Sequence, residues 1–259
     1  MPEPALVERH AHYAVVTLNR PEKRNPLPYR DEDGVRPALE ALAREDAIRA
    51  VVLAGSGKAF CSGLDLSGLK ELQATSAAQN LADSEAVCAF FEYLRAYPKP
   101  LIAAVNGPAV AGGAGLALLC DVALGSEHAR FSFSEVRIGF VPAMVGVYLT
   151  RAVGERVARE ILLSARWVNA EEAKILHLLH ELVDAEALMS RAAERAMQFA
   201  ELSPEALRRA KGMLARGAEQ PLPEALRDAV KGNAEARDTD DCKEGIRSFL
   251  EKRKPRWAP

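Results

Sequence analysis

The sequence predicts an α/β fold that is followed by a helical C-terminal region. Segments typical of buried strands alternate with helical segments over the first two-thirds of the 259 residues, and helices dominate the last third. Apolar residues make up 49% of the chain, which is enough for a sizeable buried core. We therefore predict a core over residues 1–200 and a helical region over residues 201–259.

The first half of the chain carries the clearest alternation. Its strands are apolar, β-branched runs, and its helices have apolar residues at helical spacing. Four prolines between positions 21 and 37 predict a loop after the first strand. Strands are predicted over residues 13–19, 48–57 and 99–107, and helices in VRPALEALARE and over residues 83–97.

The second half becomes progressively more helical. A helix is predicted in AGLALLCDVAL, and a short strand over residues 129–136. Further helices are predicted in ERVAREILLSA, NAEEAKILHLL and AEALMSRAAERAMQFAEL. Two or three more helices with many charged residues follow Ser203, and the last of them leads into a basic segment, EKRKPRW.

Composition and charge exclude several classes of function. The formal net charge is −2, with 34 basic and 36 acidic residues, so neither a nucleic-acid-binding nor an anionic-membrane-binding surface is expected. The four cysteines, at positions 61, 88, 120 and 242, form no CxxC pair, which argues against zinc and favours a reduced, cytoplasmic protein. MPEPALVERH lacks the apolar core of a signal peptide, and no apolar run has the length of a membrane span.

The segment NGPAVAGGAGLALLCD, residues 106–121, contains four glycines and almost no polar side chains. It follows a predicted buried strand, and Gly112 and Gly113 fall where a helix should begin. The first N–H groups of a helix have no partner within it, and glycine lets a ligand approach them closely. Such a site can receive an oxygen that becomes anionic during a reaction. Tight packing of the helix on the strand is the alternative explanation of the glycines.

Neither of two nucleotide-binding motifs fits the glycine-rich segments. GGAG does not match GxGxxG, and no suitable strand and acidic residue follow about 20 residues later. GSGKAF, residues 55–60, resembles the end of a P-loop, but Ala59 stands where Ser or Thr is required and the first glycine is misplaced. A dinucleotide or nucleoside-triphosphate site is therefore not predicted.

A second turn with exposed backbone donors is predicted in GKAFCSGLDL, residues 57–66. This segment also follows a buried strand, and its Ser62-Gly63-Leu64 turn leads to Asp65. Asp65 is interpreted as the N-cap of a helix in LSGLKELQ rather than as a base. Two separate turns of this kind can each supply one N–H group to a single oxygen.

Five segments together resemble the crotonase superfamily of enoyl-CoA hydratases and isomerases. They are RPEKRNPL, GKAFCSGLDL, KPLIAAVNGPAVAGGAGLALLCDVAL, FSFSEVRIGFVPAMVGVYLTRAVG and EGIRSFLEKRKPRW, which follow the family's order over nearly the whole chain. The resemblance implies a crotonase-like spiral of ββα units with a C-terminal helical trimerisation region. It also implies an acyl-CoA thioester substrate, no cofactor apart from the coenzyme A of that substrate, and a homotrimer or hexamer.

The same resemblance assigns the reacting groups. It implies that the N–H groups of Leu64 and Gly112 form an oxyanion hole for the thioester, and that Glu135, in FSFSEVRIGF, moves a proton. The family's hydratases use two glutamates, and the position of the first is here Gly115, which has no side chain. Hydration of an enoyl-CoA is the first hypothesis, and double-bond isomerisation by one glutamate is the second. A catalytically weakened protein that binds coenzyme A is the third.

Without the resemblance, Glu135 would be interpreted as an ordinary exposed or salt-bridged glutamate, with Arg137 nearby in the sequence. With it, partial burial between apolar neighbours would raise the pKa of the Glu135 carboxyl and make it a better base near neutral pH. The segment SEVRIGFVPA and the glycine at position 115 resemble hydratases of branched or carboxylated enoyl-CoA, such as methylglutaconyl-CoA hydratase-like members.

The resemblance also indicates which residues hold the substrate. Arg24 and Lys58 are predicted to meet the phosphates of coenzyme A, with simple solvation as the alternative. The predicted substrate-binding residues are Arg24, Lys58, Phe60, Cys61, Ser62, Gly63, Asp65, Leu66, Gly113 and Gly115.

Other polar and reactive residues are interpreted as structural. Cys61 and Cys120 flank the predicted site without a partner histidine, so core packing is expected of both. Asp121 is expected to be a structural ion-pair partner. His177 and His180 share one face of a predicted helix, but a metal would need more ligands, so satisfied or exposed side chains are expected.

Overall fold

The computed structural model describes residues 3–27, 34–65 and 75–259. Its strands are β1 (Ala5–Arg9), β2 (Tyr13–Leu18), β3 (Ala50–Gly55), β4 (Leu101–Val105), β5 (Pro108–Val110), β6 (Val122–Ser126), β7 (Arg130–Ser132), β8 (Trp167–Asn169) and β9 (Glu181–Val183). They form a six-stranded sheet in the order β1-β2-β3-β4-β6-β9 and a three-stranded sheet in the order β5-β7-β8. In the larger sheet β1 is antiparallel to β2, and all other neighbours are parallel.

Helices surround the two sheets and make up most of the chain after residue 143. They are α1 (Val35–Ala43), α2 (Ala77–Arg95), α3 (Gly112–Leu118), α4 (Ala143–Val153), α5 (Glu155–Ser164), α6 (Ala170–Ile175), α7 (Leu188–Ala200), α8 (Pro204–Gly217), α9 (Leu222–Arg237) and α10 (Asp240–Leu250). Side chains of Ser76, Asn169, Ser203 and Thr239 cap four of these helices at their N-termini.

The centre of the larger sheet is buried on both faces, which explains why its strands are continuous apolar runs rather than alternating ones. Val51 in β3 belongs to the apolar cluster on one face, and its neighbour Val52 belongs to the cluster on the other. On that second face α7 contributes Leu188, Ala192 and Ala196. The predicted strands at the centre of this sheet are confirmed, as is the helix over α1.

Strand β4 leads directly into the small sheet, and this connection brings the two predicted turns together. The N–H of Val110 donates to the carbonyl of Cys61 at 2.9 Å, and the N–H of Cys61 donates to that of Pro108 at 3.2 Å. A Cβ atom at Gly107 would lie 2.2 Å from the carbonyl oxygen of Lys58, so only glycine permits this approach. The GKAFCSGLDL segment is thereby fastened along β5.

The helix predicted in AGLALLCDVAL is wrong in its second half. Helix α3 ends at Leu118, and β6 begins at Val122, where it pairs in parallel with β4. A short, fully buried strand and a buried helix look alike in an apolar run, and the sheet decides between them here. The strand predicted over residues 129–136 is limited to β7, and β1 was not predicted.

Three helices follow Ser203, in agreement with the prediction of two or three. Their contact with the larger sheet includes the ammonium of Lys211, which lies 2.6 Å from the carboxylate of Asp121 and donates to the carbonyl of Lys99 at 2.9 Å. The structural ion pair predicted for Asp121 is therefore confirmed. None of the helices in the described ranges is long and apolar enough to cross a membrane.

The shared helical face predicted for His177 and His180 is wrong, because α6 ends at Ile175 and His177 adopts a left-handed backbone with φ of 61°. His180 is a satisfied side chain, as expected. Its Nδ1 accepts a hydrogen bond from the N–H of Ala123 at 3.0 Å.

Candidate functional site

The two predicted turns converge on one another. Gly63 has a φ of 88°, and a Cβ atom there would lie 2.8 Å from the carbonyl oxygen of Val110 and 3.3 Å from the Gly112 nitrogen. A Cβ atom at Gly112 would in turn lie 3.9 Å from the Leu64 nitrogen. Glycine is therefore required at position 63 both for its backbone conformation and for the close approach of the second turn.

The backbone donors at the centre of this contact have no partner among the described residues. The N–H of Leu27 donates to Gly63 at 2.7 Å and that of Asp65 donates to Leu27 at 2.8 Å, which fixes the chain on both sides of Leu64. Within the described ranges, neither Leu64 nor Gly112 donates a backbone hydrogen bond from its own N–H. Two neighbouring unpaired donors form a site for one oxygen atom that gains negative charge.

Both turns open into a cavity of about 830 Å³. Leu64 and Gly112 line it together with Glu135, so the structure brings the three predicted catalytic residues to one place. Much of the remaining wall is apolar and comes from α2 and α4, among others Val87, Phe90, Phe91, Met144 and Val145. An apolar cavity with a few convergent polar groups is typical of a small-molecule site.

Glu135 begins a 3-10 turn, Glu135–Ile138, shortly after β7. Its Oε2 atom is buried and has no hydrogen-bond partner in the described part of the chain. Burial raises the pKa of the Glu135 carboxyl, because the charged form loses its hydration. Arg137 does not neutralise it, since the Arg137 guanidinium donates to the carbonyl of Ala165 at 2.9 and 3.3 Å. The carboxyl is thus a base of raised pKa at the wall of the cavity.

The space beside Gly115 is already filled. A Cβ atom at Gly115 would lie 2.8 Å from Phe91 Cζ and 2.8 Å from Val145 Cγ1. Both of these side chains line the cavity, whereas Gly115 itself is buried behind them. The structure therefore corrects the prediction that Gly115 contacts the substrate: Phe91 and Val145 form the wall at this place.

An ion pair supports the turn that carries Leu64. The Arg20 guanidinium lies 2.8 Å from the carboxylate of Asp65 and donates to the carbonyl of Pro26 at 2.6 Å. Beside this ion pair, the buried Asn25 side chain accepts a hydrogen bond from the N–H of Arg20 at 2.9 Å and donates one to the carbonyl of Ala59 at 2.8 Å. The RPEKRNPL segment thus holds the GKAFCSGLDL turn in place through an ion pair and hydrogen bonds.

The remaining predicted substrate-binding residues fall into different environments. Phe60 and Cys61 are completely buried, which leaves them no surface for a ligand, and their prediction is corrected to core packing beneath the turn. Gly113 is also buried. A Cβ atom there would lie 2.3 Å from the carbonyl oxygen of Cys61, so the glycine allows the two segments to pack closely and does not contact a ligand. Leu66 lies outside the described residues, as does the helix predicted in LSGLKELQ.

Arg24, Lys58 and Ser62 do reach the surface, but they line a separate cleft of about 700 Å³. It adjoins the two turns from the side of β5. Contact of these three side chains with a substrate stays a prediction.

The two buried thiols are unsuited to nucleophilic chemistry. Burial raises the pKa of the Cys61 thiol to about 12 and that of Cys120 further still, so neither is ionised near neutral pH. Core packing is therefore confirmed for both. Across the described ranges, no three His, Cys, Asp or Glu side chains come together as ligands for a metal would.

The sequence does not by itself reveal the roles of Phe91, Val145 and Arg20. Phe91 lies within the helix predicted over residues 83–97, but its position beside Gly115 follows only from the packing of the chain. Arg20 stands in the RPEKRNPL segment, where only its distance in space to Asp65 reveals the pair.

Known proteins are similar to this chain over nearly its whole length. A family described as Enoyl-CoA hydratase/isomerase matches residues 8–259. A Thermus thermophilus protein whose name places it among the enoyl-CoA hydratases is 45% identical over 246 residues, 95% of this chain and 97% of its own. The short-chain-enoyl-CoA hydratase of Clostridium acetobutylicum is 32% identical over 96% of this chain and 95% of its own.

Solved structures give the same result. The crystal structure of an enoyl-CoA hydratase from Mycobacterium smegmatis superimposes with a TM-score of 0.90 at 32% sequence identity, and the match covers 99% of both chains. The likeness therefore extends over the spiral of strands and helices and over the C-terminal helices alike.

Proposed function

The chain belongs to the enoyl-CoA hydratase/isomerase family, and we propose that it adds water to the double bond of an enoyl-CoA thioester. One observation carries this proposal: two backbone N–H groups that have no partner in the described ranges and a buried carboxyl meet at the wall of one largely apolar cavity. The three groups are those of Leu64, Gly112 and Glu135. They suit a reaction in which a thioester oxygen gains charge while a proton moves nearby.

The thioester carbonyl accepts hydrogen bonds from Leu64 and Gly112. These donors draw electron density towards the oxygen, so the carbon at the far end of the conjugated double bond becomes electrophilic. They form stronger bonds to the enolate oxygen than to the carbonyl, because the enolate carries the negative charge. Removal of one such donor typically raises the barrier by about 2.7–4 kcal/mol.

Glu135 serves both proton transfers. Its carboxylate accepts a proton from water as the water oxygen bonds to the β-carbon, and the electron pair of the double bond moves to the enolate. The carboxylic acid that results then returns a proton to the α-carbon, which regenerates the carboxylate and completes the addition of water. A single carboxyl can perform both steps in sequence, because the first transfer leaves it protonated for the second.

Double-bond isomerisation is the second candidate function, and the wall beside Gly115 favours it. Phe91 and Val145 occupy the place where a second carboxylate would hold water. A lone base can instead remove a proton from one carbon and return it to another through a dienolate. In that reaction the apolar wall has the advantage of keeping water out.

The substrate is proposed to be an acyl group carried by coenzyme A, and the reaction uses no cofactor besides that carrier. The similarity in motif to methylglutaconyl-CoA hydratase-like members adds a branched or carboxylated acyl chain to the proposal. The (E)-benzylidenesuccinyl-CoA hydratase of Thauera aromatica is 34% identical to this chain over 257 residues, and its named substrate carries a carboxyl group besides the thioester. A cytoplasmic location is proposed on the four cysteines, all of which are free.

A homotrimer or hexamer completes the proposal. Helices α8 to α10 expose large apolar side chains, with Leu214, Val230 and Phe249 69%, 72% and 83% exposed. Apolar side chains repeated on three consecutive helices favour contact with another copy of the chain over contact with water. Such contact would remove these side chains from solvent.

A spectroscopic assay tests the function directly. Hydration removes the conjugated double bond of a short 2-enoyl-CoA, so the absorbance of the conjugated thioester falls as product forms. Conversion of a 3-enoyl-CoA raises the same absorbance and would instead identify an isomerase. Tight binding of coenzyme A without turnover of any enoyl-CoA in a panel of straight, branched and carboxylated chains would contradict both reactions and identify a binding protein.

A further inference from the structure

The wall beside Gly115 is built from two helices. Phe91 belongs to α2 and Val145 belongs to α4, and both side chains line the apolar cavity together with the two backbone donors. They are 1% and 5% exposed, so close packing holds both of them in place. The width of the cavity at this wall therefore depends on how closely α2 and α4 approach each other.

A hydrogen bond joins the two helices next to this wall. The hydroxyl of Tyr148 on α4 donates to Oε1 of Glu92 on α2 at 2.7 Å. Glu92 follows Phe91 directly, and Tyr148 stands three residues after Val145, on the same face of α4. The centre of the Tyr148 ring also lies 6.1 Å from that of Phe91, with the two planes inclined by 58°, an arrangement in which aromatic rings attract each other.

The Tyr148 hydroxyl is a donor at neutral pH. Burial raises the pKa of the phenol, and the hydrogen bond to Glu92 and the charge of that carboxylate raise it further. A bond from a neutral donor to a carboxylate is stronger than one between two neutral groups. Glu92 is exposed, so water competes for the carboxylate and the effect of the bond is moderate.

The same two helices share a second partner farther along. Glu219, in the connection between α8 and α9, pairs with Arg95 of α2, and its Oε1 lies 3.9 Å from the Arg151 guanidinium of α4. Arg95 and Arg151 each stand three residues after one partner of the hydrogen bond. The two links therefore follow one line between the helices, and the hydrogen bond is the link nearer to Phe91.

We propose that Tyr148 is a positioning residue for the acyl cavity: its hydrogen bond to Glu92 keeps the Phe91 ring against Gly115 and so limits the bulk that an acyl group can carry near its reacting carbons. The inference rests on the proposed function, because it takes an acyl group as the occupant of the cavity. It extends that function by two residues, Tyr148 and Glu92, that do not line the cavity. Their effect reaches the substrate only through the wall.

The test uses the full chain and compares a slim ligand with a bulky one. Calorimetry gives the Kd of butanoyl-CoA and of 3,3-dimethylbutanoyl-CoA, which are saturated and cannot be hydrated. The spectroscopic assay gives kcat and KM for 2-butenoyl-CoA. Tyr148→Phe removes only the hydroxyl, Glu92→Ala removes the acceptor, and Glu92→Gln keeps an acceptor oxygen. Phe91→Leu reduces the wall itself.

Tyr97→Phe is the matched control. The Tyr97 hydroxyl donates to the carbonyl of Leu39 at 3.0 Å, and its side chain is buried outside the lining of the cavity. The control therefore also loses one hydroxyl and one hydrogen bond, but without an effect on the wall. A general loss of stability would appear in both tyrosine variants, whereas a change of selectivity should appear only in Tyr148→Phe.

The proposal expects the Kd of the bulky ligand, relative to that of the slim one, to fall about threefold for Tyr148→Phe and for Glu92→Ala. A hydrogen bond of this kind changes an equilibrium by a factor of about two to ten. The double variant should change the ratio no more than either single variant, because both remove the same bond. Glu92→Gln should keep most of the original ratio, Phe91→Leu should change it further, and Tyr97→Phe should leave it unchanged. For Tyr148→Phe, kcat for 2-butenoyl-CoA should also be unchanged.

The outcomes separate this inference from the proposed function. An unchanged ratio in Tyr148→Phe, with 2-butenoyl-CoA still hydrated, would overturn the inference and leave the proposed function intact. An unchanged ratio in Phe91→Leu would overturn it as well, because the wall would then not limit the acyl group. An equal change in Tyr97→Phe would do the same, since it would indicate a general loosening of the fold. If the original chain hydrates no enoyl-CoA but its ratio still depends on Tyr148, the inference stands and the proposed hydration fails.

Discussion

The ring of Phe91 lies against Gly115, where any side chain at position 115 would have to stand. The distance from a Cβ atom at Gly115 to Phe91 Cζ would be 2.8 Å, which is closer than real Cβ atoms approach other atoms. The absence of a carboxylate at this position is therefore matched by an aromatic wall. No carboxylate stands at position 115, and Glu135 is the acid that we propose for the proton transfers.

This relationship predicts that Gly115→Glu will not create a second catalytic acid but will destabilise the protein by about 3 kcal/mol or more, through overpacking and a buried charge. Phe91→Ala combined with Gly115→Glu should cost less than the sum of the two single changes, because the first makes room for the second. Urea denaturation of the two single variants and the double variant gives the free energies of unfolding that test this prediction.

The matched control for this substitution is Gly232→Glu. A Cβ atom at Gly232 on α9 would have no atom within 4 Å, so the change should stay within about 0.5 kcal/mol. Equal stability of the Gly115→Glu and Gly232→Glu variants would show that the Phe91 side chain moves aside at little cost, which would contradict the prediction.

Removal of the Glu135 carboxyl should abolish most of the activity. Glu135→Gln keeps the size of the side chain but can neither accept nor return a proton, so kcat should fall by about 10²- to 10⁴-fold while KM changes little. Steady-state kinetics on an active enoyl-CoA measures both constants. Glu201→Gln, an exposed glutamate after α7, is the control and should leave them unchanged. A Glu135→Gln variant with near-normal kcat would exclude this carboxyl from the proton transfers.

The activity should depend on pH through the Glu135 carboxyl. The base acts only when ionised, so kcat/KM should fall as the pH is lowered through the pKa of Glu135. Burial raises that pKa above the ordinary value of 4.5, so the fall should begin at a higher pH than for an exposed glutamate. A profile of kcat/KM from about pH 4 to about pH 8 tests this expectation. A flat profile would contradict it.

The ion pair between Arg20 and Asp65 should position the Leu64 donor. Both side chains are mostly buried, with 21% and 17% of their surfaces exposed, so Arg20→Ala should cost about 1–3 kcal/mol of stability. It should also lower kcat more than it raises KM, because the donor matters most when the oxygen is charged. Arg20→Lys should recover part of both losses.

Arg9 provides the control for Arg20. Its pair with Glu45 is exposed, so Arg9→Ala should lower the stability much less than Arg20→Ala does and should leave kcat unchanged. If Arg20→Ala and Arg9→Ala had the same kinetic effect, the pair would support the fold without positioning the turn.

The exposed apolar side chains of α8 to α10 should lie between copies of the chain. Light scattering should give three or six times the 28.1 kDa mass of one chain. Val230→Glu should lower that mass, because it places a charge in the contact, whereas the adjacent Lys231→Gln makes the same change of net charge and should not. A monomer at micromolar concentration would refute the oligomer.

The sequence was most informative where a residue type has a single physical use. A glycine at position 63 indicated a turn, and the structure gives it a φ of 88°. The continuous apolar runs of β3 and β4 indicated strands buried on both faces, because sheets covered by helices need no polar side. Prediction failed at Val122–Ser126, where an apolar run suits a helix and a strand equally and pairing with β4 selected the strand.

By itself, the sequence determined the α/β core, the helical C-terminal region, the two glycine turns and, through resemblance, the family. Those features depend on local backbone preferences and on the spacing of apolar residues, both of which can be recognised from residues close together in the sequence. Only the tertiary structure decided that Phe91 fills the space at Gly115, that Arg20 clamps Asp65, and that Arg130 and Trp167 join Arg24 and Lys58 around one cleft. Each of these contacts joins residues that are far apart in sequence, and their distance is set by the packing of the whole core.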